Sequence, residues 1–327
     1  MTTAARTSRH ALRRSVAAVA LIVAWSGGFI GAEFGTEAGA GPFQLLSWRF
    51  IVLSVLFLGA CAATRTSLRS WAAWRRQIPL GALCQSIYLG LSFLGISLGV
   101  HGGTAALIAA LQPLLVMTVA GPLLGEAPSR TAWFGTALGM LGVVIVVSGD
   151  LRTDSVPAWV YLLPTLAMLS LTVGTVLSRR LKPPEDLLQT ITMQGVQSAV
   201  VLTVVALLTG QFTAPSNAGT YVAIGWMVLV PSIAGYTLYV YVTHEAGATV
   251  VSTLLYLTPP TTMIWAYVMF GDPITAAAVL GLAVSAVGVV LVLRHRRPGP
   301  LGTAPPEPAP AGAVVVHEPI GSIREKE

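Results

Sequence analysis

Arg49 is the one basic residue inside an apolar run long enough to cross a membrane. A charge at that depth costs several kcal/mol unless it is paired, hydrated or drawn out to the headgroups. Two readings stay open. In one, Arg49 faces an internal cavity and binds a substrate carboxylate or another anion. In the other it lies about two turns from the outer end of its helix and reaches the headgroups, with Trp48 at the interface. Glu33 and Glu37, at the outer end of the first apolar run, are available to pair with it.

Uncharged polar and aromatic side chains recur within the same runs. Trp25, Gln85, Tyr88 and Gln112 lie in the first half of the chain; Gln194, Gln197, Tyr236, Tyr239, Tyr256, Thr258 and Trp265 lie in the second. Buried amides and phenols need hydrogen-bond partners. Water or substrate in a cavity can supply them, and so can a neighbouring helix. Both fates are expected within this set, which makes it the pool of substrate-binding candidates. Pro113, Pro259 and Pro260 stand inside runs where a proline removes a helical hydrogen bond and clashes with the carbonyl four residues back. The carbonyls freed are those of Ala109, Leu255 and Tyr256. Such prolines either flex as hinges beside a cavity or set static kinks.

Other chemistry finds no support. His244-Glu245 is followed by Ala246-Gly247-Ala248, so the metalloprotease pattern His-Glu-x-x-His is missing. No pair of carboxylates stands in mid-membrane, and His101 and His244 fall only near helix ends. An enzyme is therefore not expected, nor a metal or cofactor. Proton coupling is not indicated either, because no titratable acid stands clearly at mid-depth; uniport, or coupling through the substrate's own charge, stays open. Cys61 and Cys84 sit in apolar runs with no disulfide or metal spacing and are read as small packing residues.

The elements that must position these residues follow from composition. Apolar residues make up 54% of the 327 and charged residues 10%, against about a quarter charged in soluble domains. The long apolar stretches must face lipid, and at roughly 20 residues per span the chain holds about ten helices. Their approximate positions are 15–34, 43–63, 79–98, 104–124, 131–148, 157–178, 188–209, 220–242, 248–270 and 274–293. The net charge of +6 comes from arginines clustered between runs, as topology signals are, so nucleic acid is not an expected partner. With the N-terminus inside, Arg6, Arg9, Arg13, Arg14, Arg65, Arg69, Arg75, Arg76, Arg130, Arg179, Arg180, Lys182, Arg294, Arg296 and Arg297 are cytoplasmic. Glu33, Glu37, Asp150, Asp154 and Asp272 are outside, with Arg152 the one exception. A multi-pass cell-membrane protein with both termini cytoplasmic is expected.

The first run also has features of a signal peptide, but its counterpart in the second half argues that it belongs to the fold. Residues 294–327 form a tail, rich in Pro, Ala and Glu from 298 onward and read as disordered.

The shift that carries Pro113 onto Pro259 also carries Leu111 onto Leu257, Gly125 onto Gly271, Glu126 onto Asp272, Gly135 onto Gly281, Gly142 onto Gly288 and Gly28 onto Gly174. LGVVIVV (141–147) then meets VGVVLVL (287–293) without a gap. Residues 1–14 are thus a cytoplasmic N-terminus, 15–148 a first five-helix repeat, 149–156 an extracytoplasmic linker and 157–293 a second repeat. An odd helix count per repeat inverts one against the other, which places a substrate site at the repeat interface and allows alternating access by rocking. Glu126 and Asp272 close matching helices, as caps or as ties to a neighbour. Gly27-xxx-Gly31, Gly135-xxx-Gly139 and Gly281-xxx-Ser285 allow close helix contact, within a monomer or across a homodimer.

On these features the chain resembles the drug/metabolite transporter superfamily, in its EamA-type branch of ten-helix permeases. The resemblance covers roughly residues 15–295 and rests on four blocks. These are Ala24-Trp25-Ser26-Gly27-Gly28-Phe29, then Pro42 with Trp48-Arg49-Phe50, then Leu111-Gln112-Pro113 to Gly125-Glu126, and Leu257-Thr258-Pro259 to Gly271-Asp272. The last ends in Asp where the family pattern often has Glu. The resemblance implies export of small metabolites, commonly amino acids, or of drugs. Lipid-carrier flipping or channel-like facilitation is the alternative.

Overall fold

The computed structural model describes residues 3–116, 118, 129–153 and 156–294. Its regular structure there is entirely helical. The helices are α1 (Thr3–Glu37), α2 (Pro42–Thr64), α3 (Trp71–Ser97), α4 (Gly102–Leu115), α5 (Arg130–Thr153) and α6 (Ala158–Leu181). They continue with α7 (Leu187–Leu208), α8 (Ala218–Ala246), α9 (Ala248–Leu255), α10 (Thr258–Phe270) and α11 (Ala276–Arg294).

Local chemistry sets the ends. Gly39 takes φ +76° after α1, and Pro42 opens α2, where its missing N–H leaves nothing unsatisfied. Asp186 and Gln189 cap each other at the start of α7 in a reciprocal box. Asn217 caps α8 through the Thr220 N–H.

Seven of these helices are long and apolar enough to cross a membrane: α1 from Ser15, α2, α3, α5 to Arg152, α6, α7 and α8. The expected run 104–124 is described only in part, as α4. The expected run 248–270 is not one helix. It breaks at Tyr256–Leu257 into α9 and α10, and α4 breaks likewise at Ala110–Leu111. Pro113 and Pro259 thus stand in the first turn of a restarted helix rather than kinking a continuous one, because a proline at that position forfeits no helical bond. Glu126, Asp154 and the tail from 295 lie outside the described residues.

π-helical segments interrupt α3 at Ala82–Ile87 and α8 at Val228–Ala234. The second has a visible cause. Pro231 cannot donate to the carbonyl of Met227, and the Ser232 hydroxyl takes that bond at 2.8 Å.

Packing pairs helices from the two halves of the chain: α5 with α11, α2 with α7, α3 with α6 and α7, and α1 with α8 and α10. Helix association in lipid relies on close fit rather than hydrophobic burial. α5 and α11 meet through glycines: a Cβ on Gly288 would lie 2.7 Å from the Gly139 nitrogen. The Ser285 hydroxyl donates to the Gly139 carbonyl at 3.1 Å, so both of their small-residue motifs serve this contact within one chain. Gly27 and Gly31 face Trp226, Met227 and Val230 of α8 in the same way. The largest core cluster gathers Leu45, Leu46, Phe50, Phe93, Leu202 and Met227 between α2, α3, α7 and α8. Val55, Leu56, Leu166, Leu207 and Val268 are exposed on the bundle's outside, as a lipid-facing surface requires.

Candidate functional site

A cavity of about 80 Å³ opens among α1, α2, α3 and α8, where a single water needs about 10–15 Å³ of such space. Its wall includes Trp25, Phe29, Arg49, Gln85, Tyr88 and Tyr236, with Gly28, Cys84, Leu89, Ser92, Phe93 and Pro231 completing it. The π segments of α3 and α8 both contribute, Cys84 and Gln85 from the first and Pro231 from the second.

Arg49 is 7% exposed. Its Nε and Nη2 donate to the Ser232 hydroxyl at 3.2 and 3.0 Å, and its guanidinium lies 5.4 Å from the Phe50 ring centre. Among the described residues no carboxylate stands within ion-pair distance of it. A guanidinium carries five N–H donors and no acceptor, so one neutral hydroxyl leaves most of its capacity free. A buried cation without a counter-ion is costly, and an anion entering the cavity would supply what is missing.

Aromatic faces surround it. The Trp25 ring lies 6.0 Å from that of Tyr236 and 5.8 Å from that of Tyr239, and Gln85 Nε2 donates to the Tyr236 hydroxyl at 3.4 Å. The geometry offers a cationic anchor, polar tips and apolar ring faces; among the described residues the wall contains no carboxylate and no thiol–histidine pair.

Trp25, Arg49, Gln85, Tyr88 and Tyr236 are therefore brought together. The other candidates are held elsewhere. Gln112 donates to Thr175 at 3.0 Å, joining α4 to α6, and Gln194 donates to Gln77 at 2.9 Å. Tyr239 is buried beside Trp25 in a cluster with Leu21, Val242 and Val251, outside the cavity wall. Tyr256 packs on Leu111, Leu114 and Val289. Thr258 accepts from Ser26 through its carbonyl, and Trp265 meets Trp226 edge-on at 5.5 Å. None of Pro113, Pro259 and Pro260 lines the cavity. Sequence reasoning passed over Phe29, Pro231 and Ser232, although a proline inside the eighth apolar run was the same signal read at Pro113.

Trp48 reaches Thr213 and stacks on Phe212, while Arg49 turns inward to α8. Glu33 does not pair with Arg49. Its Oε1 accepts from the Gly102 N–H, because α4 starts there and its first amides lack helical partners.

Polar links stand at both ends of the bundle. At the Glu33 end, His101 Nδ1 meets Asp272 at 2.9 Å and Thr104 donates to Asp150 at 2.7 Å. At the opposite end, Glu185 accepts from Arg76 and from Gln77, the latter at 2.9 Å. Burial pushes the Glu185 carboxyl up, but the Arg76 and Gln77 hydrogen bonds and the Arg76 charge outweigh it and hold the group below its ordinary value. A depressed folded value means that Glu185 stabilises the fold above the unfolded carboxylate's pKa of about 4.3. That stability is lost as pH falls through the folded value. The thermal unfolding midpoint should therefore drop on the acid side. Glu185→Gln should flatten that slope and lower the neutral plateau by about 1 kcal/mol, since Arg76 is partly exposed.

A model described as the EamA-like transporter family matches residues 14–148 and again 158–294. The uncharacterized inner membrane transporter YedA of Escherichia coli K12 is 22% identical over 84% of this chain and 88% of its own. A Streptantibioticus cattleyicolor protein named "Probable terminal-alkyne amino-acid exporter" is 28% identical over 85% and 93%. The uncharacterized transporter YyaM of Bacillus subtilis is 28% identical over 80% and 89%. A solved crystal structure superposes with a TM-score of 0.60 over 87% of this chain and 99% of that one, at 20% identity, a likeness of fold alone.

Proposed function

The chain belongs to the EamA-like transporter family, and on that premise we propose that it exports small carboxylates, amino acids or related compounds, by alternating access around Arg49. The observation that carries this reading is a buried guanidinium that lines a cavity and, among the described residues, has a serine hydroxyl as its one hydrogen-bond partner. A substrate carboxylate would complete it by a bidentate pair. Among the described residues the wall has no acid for an ammonium group, which would rest on the faces of Trp25 and the tyrosines instead. The exporter name of the Streptantibioticus relative favours amino-acid-like cargo and outward direction.

The ten-helix, two-repeat architecture has several supports. The family model matches twice. The shift that superposes Pro113 on Pro259 also carries the π segment at Ala82 onto the one at Val228, and the break at Ala110 onto the break at Tyr256. Five helices per repeat invert the second, so the halves rock about an interfacial site. The arginine-rich loops gather at the Glu185 end, which the positive-inside rule makes cytoplasmic. Glu33 and Asp272 then face outward.

The test is counterflow in liposomes carrying the purified full chain, with labelled L-leucine, L-phenylalanine and pyruvate against the cation tetraphenylphosphonium. Exchange of at least one carboxylate, with none of the cation, is expected. Exchange of the cation alone, or of nothing by correctly folded protein, would overturn the reading.

A further inference from the structure

Glu33 is the second ionisable group whose surroundings do not account for it. It is 9% exposed. One carboxyl oxygen accepts from the Gly102 N–H; the other, Oε2, is buried with no hydrogen-bond partner. The charged groups that act on it are Asp272 after α10, His101 before α4, and Glu37 on α1 itself. Asp150 of α5 comes to the same end of α4 through Thr104. The histidine is already engaged with Asp272 at 2.9 Å, and two of the remaining neighbours are acids. An ionised carboxylate with one amide donor and a bare oxygen is among the costliest buried arrangements. The neutral acid fits the same space with its charge gone.

The position matters as much as the burial. Trp25, Phe29 and Glu33 recur every fourth residue on α1, so they share one face. Trp25 and Phe29 line the Arg49 cavity. Glu33 therefore sits one turn beyond the cavity wall, between it and the surface pair of His101 and Asp272, each about a quarter exposed.

We propose that Glu33 binds a proton from the outer face through His101 and Asp272 and releases it toward the Arg49 cavity, coupling export to proton entry. The proton adds to Glu33 Oε2 and leaves from the same oxygen, so no other reactant takes part. Protonated Glu33 suits the buried setting in which its carboxyl lies. Once it gives up the proton, Oε2 requires a donor, and opening the outer end to water supplies one. Protonation thus favours closure outside and deprotonation favours opening, and a ligand that binds one state better shifts the equilibrium by that difference. An acid outer face then drives the cycle in the direction of export. The coupling rests on the transport reading above; the proton site does not.

Two measurements separate them. Infrared spectra of the purified full chain, taken across a pH series with the proton as the only ligand, should show a protonated carboxyl band that disappears on alkalinisation. The band should be missing from Glu33→Gln, whose amide oxygen can still accept from Gly102. No titrating band, or the same band in Glu33→Gln, would overturn the site. In liposomes, a carboxylate that gives counterflow should also be driven by a gradient acid on the outer face. Glu33→Gln should keep the counterflow and lose the gradient-driven flux. Counterflow in wild type that ignores the gradient, or gradient drive that survives in Glu33→Gln, would overturn the coupling. Absence of any counterflow would overturn the transport reading and the coupling with it, and leave the proton site to the spectra.

Discussion

Arg49→Gln should lose carboxylate transport while the folded protein becomes no less stable. Hydrogen bonds to charged groups contribute about 1.5–3 kcal/mol each, so removing the anchor should raise the half-saturating carboxylate concentration by roughly ten- to a hundredfold. Arg49→Lys should fall between, because an ammonium keeps the charge but not the planar fork. The stability readout separates this account from a structural one. If Arg49 served mainly to tie α2 to α8 through Ser232, the variant would unfold at lower temperature. A buried cation with no counter-ion instead costs the apo protein desolvation, and a neutral amide that still reaches Ser232 relieves it. The pair of measurements is flux against carboxylate concentration and thermal unfolding in detergent.

The largest effect on folding is expected at the α5–α11 contact. A Cβ on Gly142 would lie 2.8 Å from the Ser285 backbone nitrogen, and the obstacle is main chain rather than a side chain that can rotate away. Overpacking costs about 1–3 kcal/mol where side chains can yield, so Gly142→Val should reach or pass about 3 kcal/mol, the top of that range. Folded yield and the unfolding midpoint should both fall sharply. Gly59 is the control. A Cβ there meets nothing within 4 Å, and in a helix interior Gly→Ala should raise stability by up to about 1 kcal/mol.

Why some of this was legible in the sequence and some not follows from how far each feature reaches. Apolar runs located the long helices because a lipid-facing segment needs nothing but its own composition. The membrane-crossing part of α1 begins at Ser15, where the apolar run begins; the helix itself extends back to Thr3 through an arginine-rich stretch that hydropathy does not report on. Pro113 and Pro259 announced interruptions but not their form; whether proline kinks or restarts a helix depends on the turn before it. Pro231 signals an interruption in α8 but not its π form, which follows from the Ser232 hydroxyl answering the Met227 carbonyl that Pro231 cannot reach with an N–H. Arg49 stood out as a lone charge, while its partner Ser232 lies on another helix far along the chain. The glutamines could not be sorted, because a cavity and a neighbouring helix satisfy an amide equally well: Gln85 lines the cavity and Gln194 answers Gln77. Glu33 was read as a neighbour of Arg49, and only the start of α4 in space showed what holds it.

The most direct test of cargo in the Arg49 cavity uses a native side chain. Cys84 lines the cavity and Cys61 does not. In Cys61→Ser, the rate at which a small maleimide labels Cys84 should fall when a carboxylate that gives counterflow is present. Adding Arg49→Gln should remove that protection. A transported carboxylate that leaves Cys84 labelling unchanged would contradict the account and place the substrate path elsewhere in the bundle.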